Sequence, residues 1–236
     1  MLFFTSDTHF GHSNIMKYCD RPGLTEAELL LLKEERYYQS LKDKDQYTLS
    51  AEEKRILKGP EPRCRVSRES TERMDDYLIN NINDLVGEND TLYHLGDFCF
   101  APKNEYYNAA RQYRNRIKCR NVHIIWGNHD HYSIGNLFST ANNMNTVFEG
   151  KQGIVLCHYA MAVWAKSHRG VWHLYGHSHA GAEAWLERTM PGRRAFDAGV
   201  DNAAKILGAY RPWTYDEIKT IMEKRNGCSI DHHRDD

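Results

Sequence analysis

Five short stretches of the chain end in side chains of one chemical kind. They are "SDTH" with Asp7 and His9, "LGD" with Asp97, "GNHD" with Asn128, His129 and Asp130, "LCH" with His158, and "YGHSH" with His177 and His179. Each follows at once on an apolar run that reads as a β-strand. Carboxylate, imidazole and amide oxygen, without thiolate, suit Mn, Fe, Zn, Ni or Co rather than a closed structural zinc site. The seven candidate ligands Asp7, His9, Asp97, Asn128, His158, His177 and His179 are too many for one ion. Shared between two ions, with one bridging carboxylate and open positions for water, they fit a two-metal centre. Residues i and i+2 of a strand point to one face. By that spacing Asp7 and His9 reach one metal together, and so do His177 and His179. Two divalent ions bring about +4, the two aspartates −2 and a bridging hydroxide −1, which leaves about +1. Such a site attracts an anion and can spread the charge of a phosphoryl transition state.

These residues need a scaffold that delivers strand ends to one edge, as open α/β sheets do. Strands are expected over residues 2–6, about 91–96, and "NVHIIWGNHD" up to Gly127. Amphipathic helices fall between them. Met74, Leu78, Ile79, Ile82, Leu85 and Val86 mark one over about 69–86, and Tyr106, Ala110, Tyr113 and Ile117 mark another over 104–118. From about residue 145 strands crowd together in "TVFEG", "GIVLCH", "VWHLYGH" and "RAFDAGV", before a closing helix over 214–225. Alternating strands and helices followed by a strand-rich half predict an α/β layered sandwich, sheets inside and helices outside.

Residues 24–66 differ in character. Thr25 with Glu28, and Ser50 with Glu53, have the spacing of capping boxes that open helices. "GPEP" at 59–62 then breaks the chain. The expected object is a charged helical hairpin inserted between core elements, either a surface excursion or a lid. The tail over about 227–236, with His232 and His233, reads as polar and solvated.

The 236 residues fit a single domain carrying that insertion. Basic and acidic residues balance to a net charge of −1, so a chain-wide basic surface for stable nucleic-acid binding is not indicated. The six cysteines are scattered without a C-x-x-C pair, which reads as reduced thiols in a cytoplasmic protein. The apolar start is cut off by Asp7 too early for a signal peptide, and no run approaches a membrane span.

In order, "DTH", "GD", "GNHD", a lone His and "GHSH" resemble the motifs of the calcineurin-like metallophosphoesterases. "GVD" at 199–201 is similar to the small bacterial and phage members. The resemblance implies a four-layer αββα sandwich with a dinuclear centre of divalent transition metals, manganese favoured. It implies that Asp7, His9 and His179 hold the first metal, that Asn128, His158 and His177 hold the second, and that Asp97 bridges. His129 would stabilise or protonate the leaving oxygen. The implied activity is hydrolysis of a phosphoester, nucleotides among the candidates, by a metal-activated water.

A phosphodiester is favoured, because "HLGDFCFAP" places no arginine after Asp97 where the protein-phosphatase branch has "GDxVDRG". Arg21 or Arg169 could substitute for it. The alternatives are a phosphomonoesterase or nuclease of the same fold, or a non-catalytic binding scaffold. The sequence leaves the oligomeric state open.

The remaining residues divide. His12 and Asn14 either touch the phosphate or cap a turn. Asp130 could orient His129, while Asp197 and Asp201 could accept hydrogen bonds from metal-bound histidines. His94 and His173 lie inside strands and are expected to be packed or hydrogen-bonded, and Cys99 and Cys157 to be small core residues. Tyr159, Met161 and Trp164 either wall a base or aryl pocket or pack a loop.

Overall fold

The computed structural model describes residues 1–227, so the expected polar tail with His232 and His233 lies outside the described residues. The chain forms two compact units. One consists of Met1–Gly11 together with the chain from Asp75 onward; the other is His12–Met74.

In chain order the strands are β1 (Leu2–Thr5), β2 (Thr91–His94), β3 (Asn121–Ile125), β4 (Thr140–Asn142), β5 (Met144–Glu149), β6 (Gln152–Cys157), β7 (Trp172–Tyr175), β8 (Ala195–Asp197) and β9 (Trp213–Thr214). The helices are α1 (Ile15–Tyr18), α2 (Glu26–Lys42), α3 (Ala51–Lys58), α4 (Arg68–Leu85), α5 (Tyr106–Arg116), α6 (Glu183–Thr189), α7 (Val200–Leu207) and α8 (Tyr215–Met222).

Two sheets build the larger unit, in the orders β4-β3-β2-β1-β9 and β5-β6-β7-β8. Strands β1 to β4 run parallel, as do β6 to β8, while β9 and β5 close one edge of each sheet antiparallel. Parallel pairing is what the site needs. Thr5 pairs with His94 and His94 with Ile124, so β1, β2 and β3 end level. In the second sheet Leu156 pairs with Leu174, bringing the ends of β6 and β7 together.

One apolar cluster joins the sheets. Phe4, Ile125 and Trp213 of the first pack with Ile154, Leu156, Leu174 and Phe196 of the second, and with Ile218 and Met222 of α8. A second cluster, Val155, Trp164, Tyr175, Leu186 and Ala195, covers the other face of β6 and β7. Burial on both faces explains why these strands read as continuous apolar runs rather than alternating ones. The expected architecture is therefore present: mixed α/β, two sheets flanked by helices. Strands β4 and β9 were not expected; three and two residues are too few to show a period.

In the unit His12–Met74 both expected capping boxes are formed, at Thr25 and at Ser50. Glu28 does more than cap α2. Its carboxylate accepts from Thr25 N (2.8 Å), Ser67 N (2.6 Å) and Ser70 Oγ (2.5 Å), tying the start of α2 to the start of α4. Nearby, Glu35 accepts from Lys17 Nζ (3.1 Å) and Cys64 N (3.0 Å).

Burial pushes the Glu28 pKa up, but the hydrogen bonds from Ser70, Thr25 and Ser67 outweigh it and hold the carboxyl at about 2 against an ordinary 4.5. A depressed folded pKa contributes stability that is complete above the unfolded pKa and lost as pH falls through the folded one. Glu28→Gln should therefore destabilise by about 2 kcal/mol at neutral pH. Urea unfolding of both proteins should show that gap shrinking from about pH 4.5 downward and closing near pH 2.

Candidate metal centre

The chain leaves the level strand ends through an unusual backbone. Asp7 (φ 58°), His9 (48°), Asp97 (57°), His177 (69°) and His179 (47°) all adopt the left-handed region. That region is uncommon for non-glycine residues and costs about 1–3 kcal/mol where it is imposed. Five of the seven candidate ligands lie in it. The conformation is held by hydrogen bonds from one turn to the next: Asp7 N to Gly96 O (2.9 Å), His9 N to Asp97 O (3.0 Å), and Gly176 N to His158 O (2.9 Å). Left-handed turns, not strand periodicity, thus aim the candidate ligands. β1 ends at Thr5 and β7 at Tyr175, so the i, i+2 rule does not apply to Asp7 and His9 or to His177 and His179.

Two groups result, in each of which one donor atom per residue lies within 4.8 Å of the others. Asp7, His9 and His179 form the first; Asp97, His158 and His177 form the second. The expectation that His177 and His179 reach one metal together is corrected here. The left-handed turn between them sends the two rings to different groups. Asn128 Oδ1 joins the second group, 3.1 Å from His158 Nε2 and 2.9 Å from His177 Nδ1. Asp97 Oδ2 stands between the groups, 3.5 Å from His9 Nε2 and 3.5 Å from His158 Nε2. Asp7 Oδ1 lies 4.0 Å from the Nε2 atoms of both His9 and His179.

The protonation pattern shows what this geometry asks for. His158 Nδ1 donates to Leu95 O at 2.7 Å, so in the neutral ring Nε2 carries a lone pair. That lone pair faces Asn128 Oδ1 and Asp97 Oδ2, both acceptors. His179 Nδ1 donates to Asp201 Oδ2 (2.6 Å), leaving its Nε2 toward Asp7. Asp7 is wholly buried, and that burial drives its pKa well above the ordinary range; His179 opposes the rise, and Asp197 and Asp97 add to it. Carboxylate oxygens and imidazole nitrogens that converge in this way are an arrangement that cations relieve. The donor chemistry therefore fits bound divalent ions.

The surrounding contacts hold these loops in place. Of the possible partners for Asp130, His129 is not the one it takes: its carboxylate accepts from Asp97 N (2.8 Å), Phe98 N (2.9 Å), Gly127 N (2.9 Å) and Tyr106 Oη (3.2 Å). It ties the "GNHD" loop to the "LGD" loop. Of the two acceptors expected for histidines, Asp201 serves His179. Asp197 instead accepts from Ser178 Oγ, Ala180 N and Gly199 N. Sequence reasoning missed Thr8, whose hydroxyl donates to Phe98 O (2.7 Å) and meets His94 Nε2 at 2.9 Å. The signal was there: a hydroxyl residue sits between the ligands of both "DTH" and "HSH".

His129 is exposed, its amide donating to Asp97 Oδ1 (2.9 Å) and its ring edge-on to His9 at 5.4 Å. Asn128 and His177 are also exposed, so the centre opens to solvent on that side. His12 and Asn14 fall in the other compact unit, where their carbonyls accept amides of the first turn of α1. His94 and His173 are buried and hydrogen-bonded, and burial lowers their pKa to about 3 and about 4. Burial pushes the Cys99 thiol up to about 12, in keeping with a core residue. Trp164 packs in the second apolar cluster with Met161 against it, and Tyr159 lies at the rim against the His158 and His177 rings.

The family model of the calcineurin-like phosphoesterases matches residues 2–230, and the chain belongs to that family. An uncharacterized protein of Methanocaldococcus jannaschii is 24% identical over 225 residues, covering 94% of this chain and 92% of its own length. A crystal structure of a protein of unknown function from Aquifex aeolicus superposes with a TM-score of 0.56 at 18% identity. That match covers 94% of this chain and 98% of the other and reflects a shared fold.

The glycines before the ligands are required by close approach. Gly96 has φ 103°, and a Cβ there would meet Gly127 N and His158 Nδ1 at 2.6 Å. At Gly176 a Cβ would collide with Ser6 and Asp7 side-chain oxygens. Gly96→Ala is expected to destabilise the protein by about 3 kcal/mol or more. Calorimetric melting of the two proteins at one pH should show a transition several degrees lower for the variant.

Proposed function

We propose that this chain is a dinuclear phosphoesterase that prefers phosphodiesters. In this reading Asp7, His9 and His179 hold one divalent transition-metal ion, manganese favoured, and Asn128, His158 and His177 hold the other. Asp97 serves both. The family supports metal-dependent phosphoester hydrolysis. The observation that carries the finer reading is the position of Asp97 Oδ2, equally 3.5 Å from an imidazole nitrogen of each group. When bound, the ions supply positive charge for the phosphate and lower the pKa of water to about 7.

The chain's own residues supply the rest. Asp97 gives Oδ2 to the centre, while its Oδ1 accepts the His129 amide and so fixes the His129 backbone beside it. From the exposed rim the His129 ring gives a proton to the leaving oxygen, general-acid help of about 10²–10⁴-fold. Asp201 and Leu95 O keep the Nδ1 protons of His179 and His158, so that both Nε2 atoms remain donors of electron pairs. The diester preference rests on the run after Asp97, "FCFAP", which carries no guanidinium to match a dianionic monoester. His12 and Asn14 remain proposed substrate contacts. The scattered cysteines place the activity in the cytoplasm in this proposal. Among the described residues no helix is long and apolar enough to cross a membrane.

Metal-stripped protein should be inert toward bis(p-nitrophenyl) phosphate and regain turnover with Mn²⁺. His129→Ala and Asp97→Asn should each lower kcat by about 10²-fold or more, and the aryl diester should exceed the matching aryl monoester in kcat/KM. Equal p-nitrophenol release by all three proteins would reject these roles. A separate measurement reads the centre without turnover. Titration calorimetry with Mn²⁺ should find Asp201→Asn weakened about 10–100-fold in metal affinity, with an unchanged circular-dichroism spectrum.

A further inference from the structure

A cavity of about 220 Å³ opens beside His129. Its wall is made largely of rings, Phe100, Tyr106, His129 and His131, with Ala101, Lys103 and Asp130 completing it. Phe100 stands edge-on to His129 with centroids 6.1 Å apart at 65°, and Tyr106 stands edge-on to His131 at 6.3 Å and 64°. Phe100 is 45% exposed, although its amide is anchored to Phe10 O at 2.8 Å. A large apolar ring on an anchored backbone, with nearly half of its surface exposed, offers area on which another planar ring can stack.

The polar groups around it are already engaged. Tyr106 Oη donates to Asp130, Asp130 holds three backbone amides, and His131 Nδ1 is 2.8 Å from Ser133 Oγ. What the cavity offers a ligand is therefore aromatic faces and the Lys103 cation; the Asp130 carboxylate in its lining is taken up by its four donors. Its volume suits one planar ring system rather than a large ligand.

We infer that this cavity is the leaving-group subsite and that it takes an aromatic ring carrying negative charge, of the kind found in a nucleotide. The inference rests on the phosphoesterase reading, because it is the role of His129 at the leaving oxygen that puts the departing group on this side. Phe100 stacks on the ring, and Lys103 meets its phosphate or other anionic substituent. Both act on specificity; neither touches the phosphoryl centre.

The test is calorimetric titration of the Mn²⁺-loaded full chain with adenosine and with adenosine 5′-monophosphate, alongside the diester assay. Adenosine has no phosphate for the metal, so its binding reports the ring alone. Phe100→Ala should weaken adenosine about five-fold or more, and Phe100→Tyr, which keeps the ring, should restore it. In metal-free protein, where no ion can hold the phosphate, Lys103→Ala should leave adenosine unchanged and reduce the advantage of the monophosphate. For the aryl diester, Phe100→Ala should raise KM with little change in kcat. Diester turnover with no adenosine binding, or with binding indifferent to Phe100→Ala, would overturn the subsite and leave the phosphoesterase reading standing. Adenosine binding without any metal-dependent turnover would overturn the leaving-group assignment together with that reading.

Discussion

Electron pairs brought face to face repel, and the centre of this protein, half buried and half open to solvent, is organised around that repulsion. Asp97 Oδ2 and Asn128 Oδ1 both meet His158 Nε2, while His158 Nδ1 is engaged with Leu95 O. Beside them Asp7 is wholly buried, its carboxylate accepting the His177 amide and its pKa raised by that burial. Such a cluster is unfavourable for an empty protein and favourable for one that binds cations. The binding function and the cost of folding the site are thus two aspects of one arrangement.

That arrangement explains the strain around it. Candidate ligands from separate strands can converge only if the chain turns sharply at each strand end, and at five of them the backbone is left-handed. The turns are kept by reciprocal backbone hydrogen bonds between the loops after β1 and β2, and by Asp130, which bridges the loops after β2 and β3. Asp130 and Thr8 contribute nothing to the ligand set. They fix the backbone from which the ligands project, and a slack backbone would let the acceptors separate. The same loops carry Phe100 and His129, so the geometry that builds the centre also sets the aromatic wall at its edge.

Much of this was legible in the residue order. Strand ends loaded with Asp, Asn and His named all seven members of the two groups, and the capping boxes at Thr25 and Ser50 named two helix starts. Periodicity located the long helices and the buried strands, since both faces of those strands are covered and their apolar runs are unbroken. It failed for the edge strands β4 and β9, which are too short to carry a period. It also misled about His177 and His179, which a strand would point one way and a left-handed turn divides.

What the sequence determined by itself is chemical: which atoms are available to hold metal, which residues can cap, and which glycines leave room. Those depend on side-chain identity and on neighbours a few positions away. The fold alone decided pairing and direction. Whether His179 joins Asp7 or His177, whether Asp130 serves His129 or three amides, and whether Trp164 faces a ligand or a core are set by contacts between residues far apart in the chain. A local pattern carries no information about which distant acceptor a hydrogen will meet; only closing the sheets brings the candidates within reach of one another.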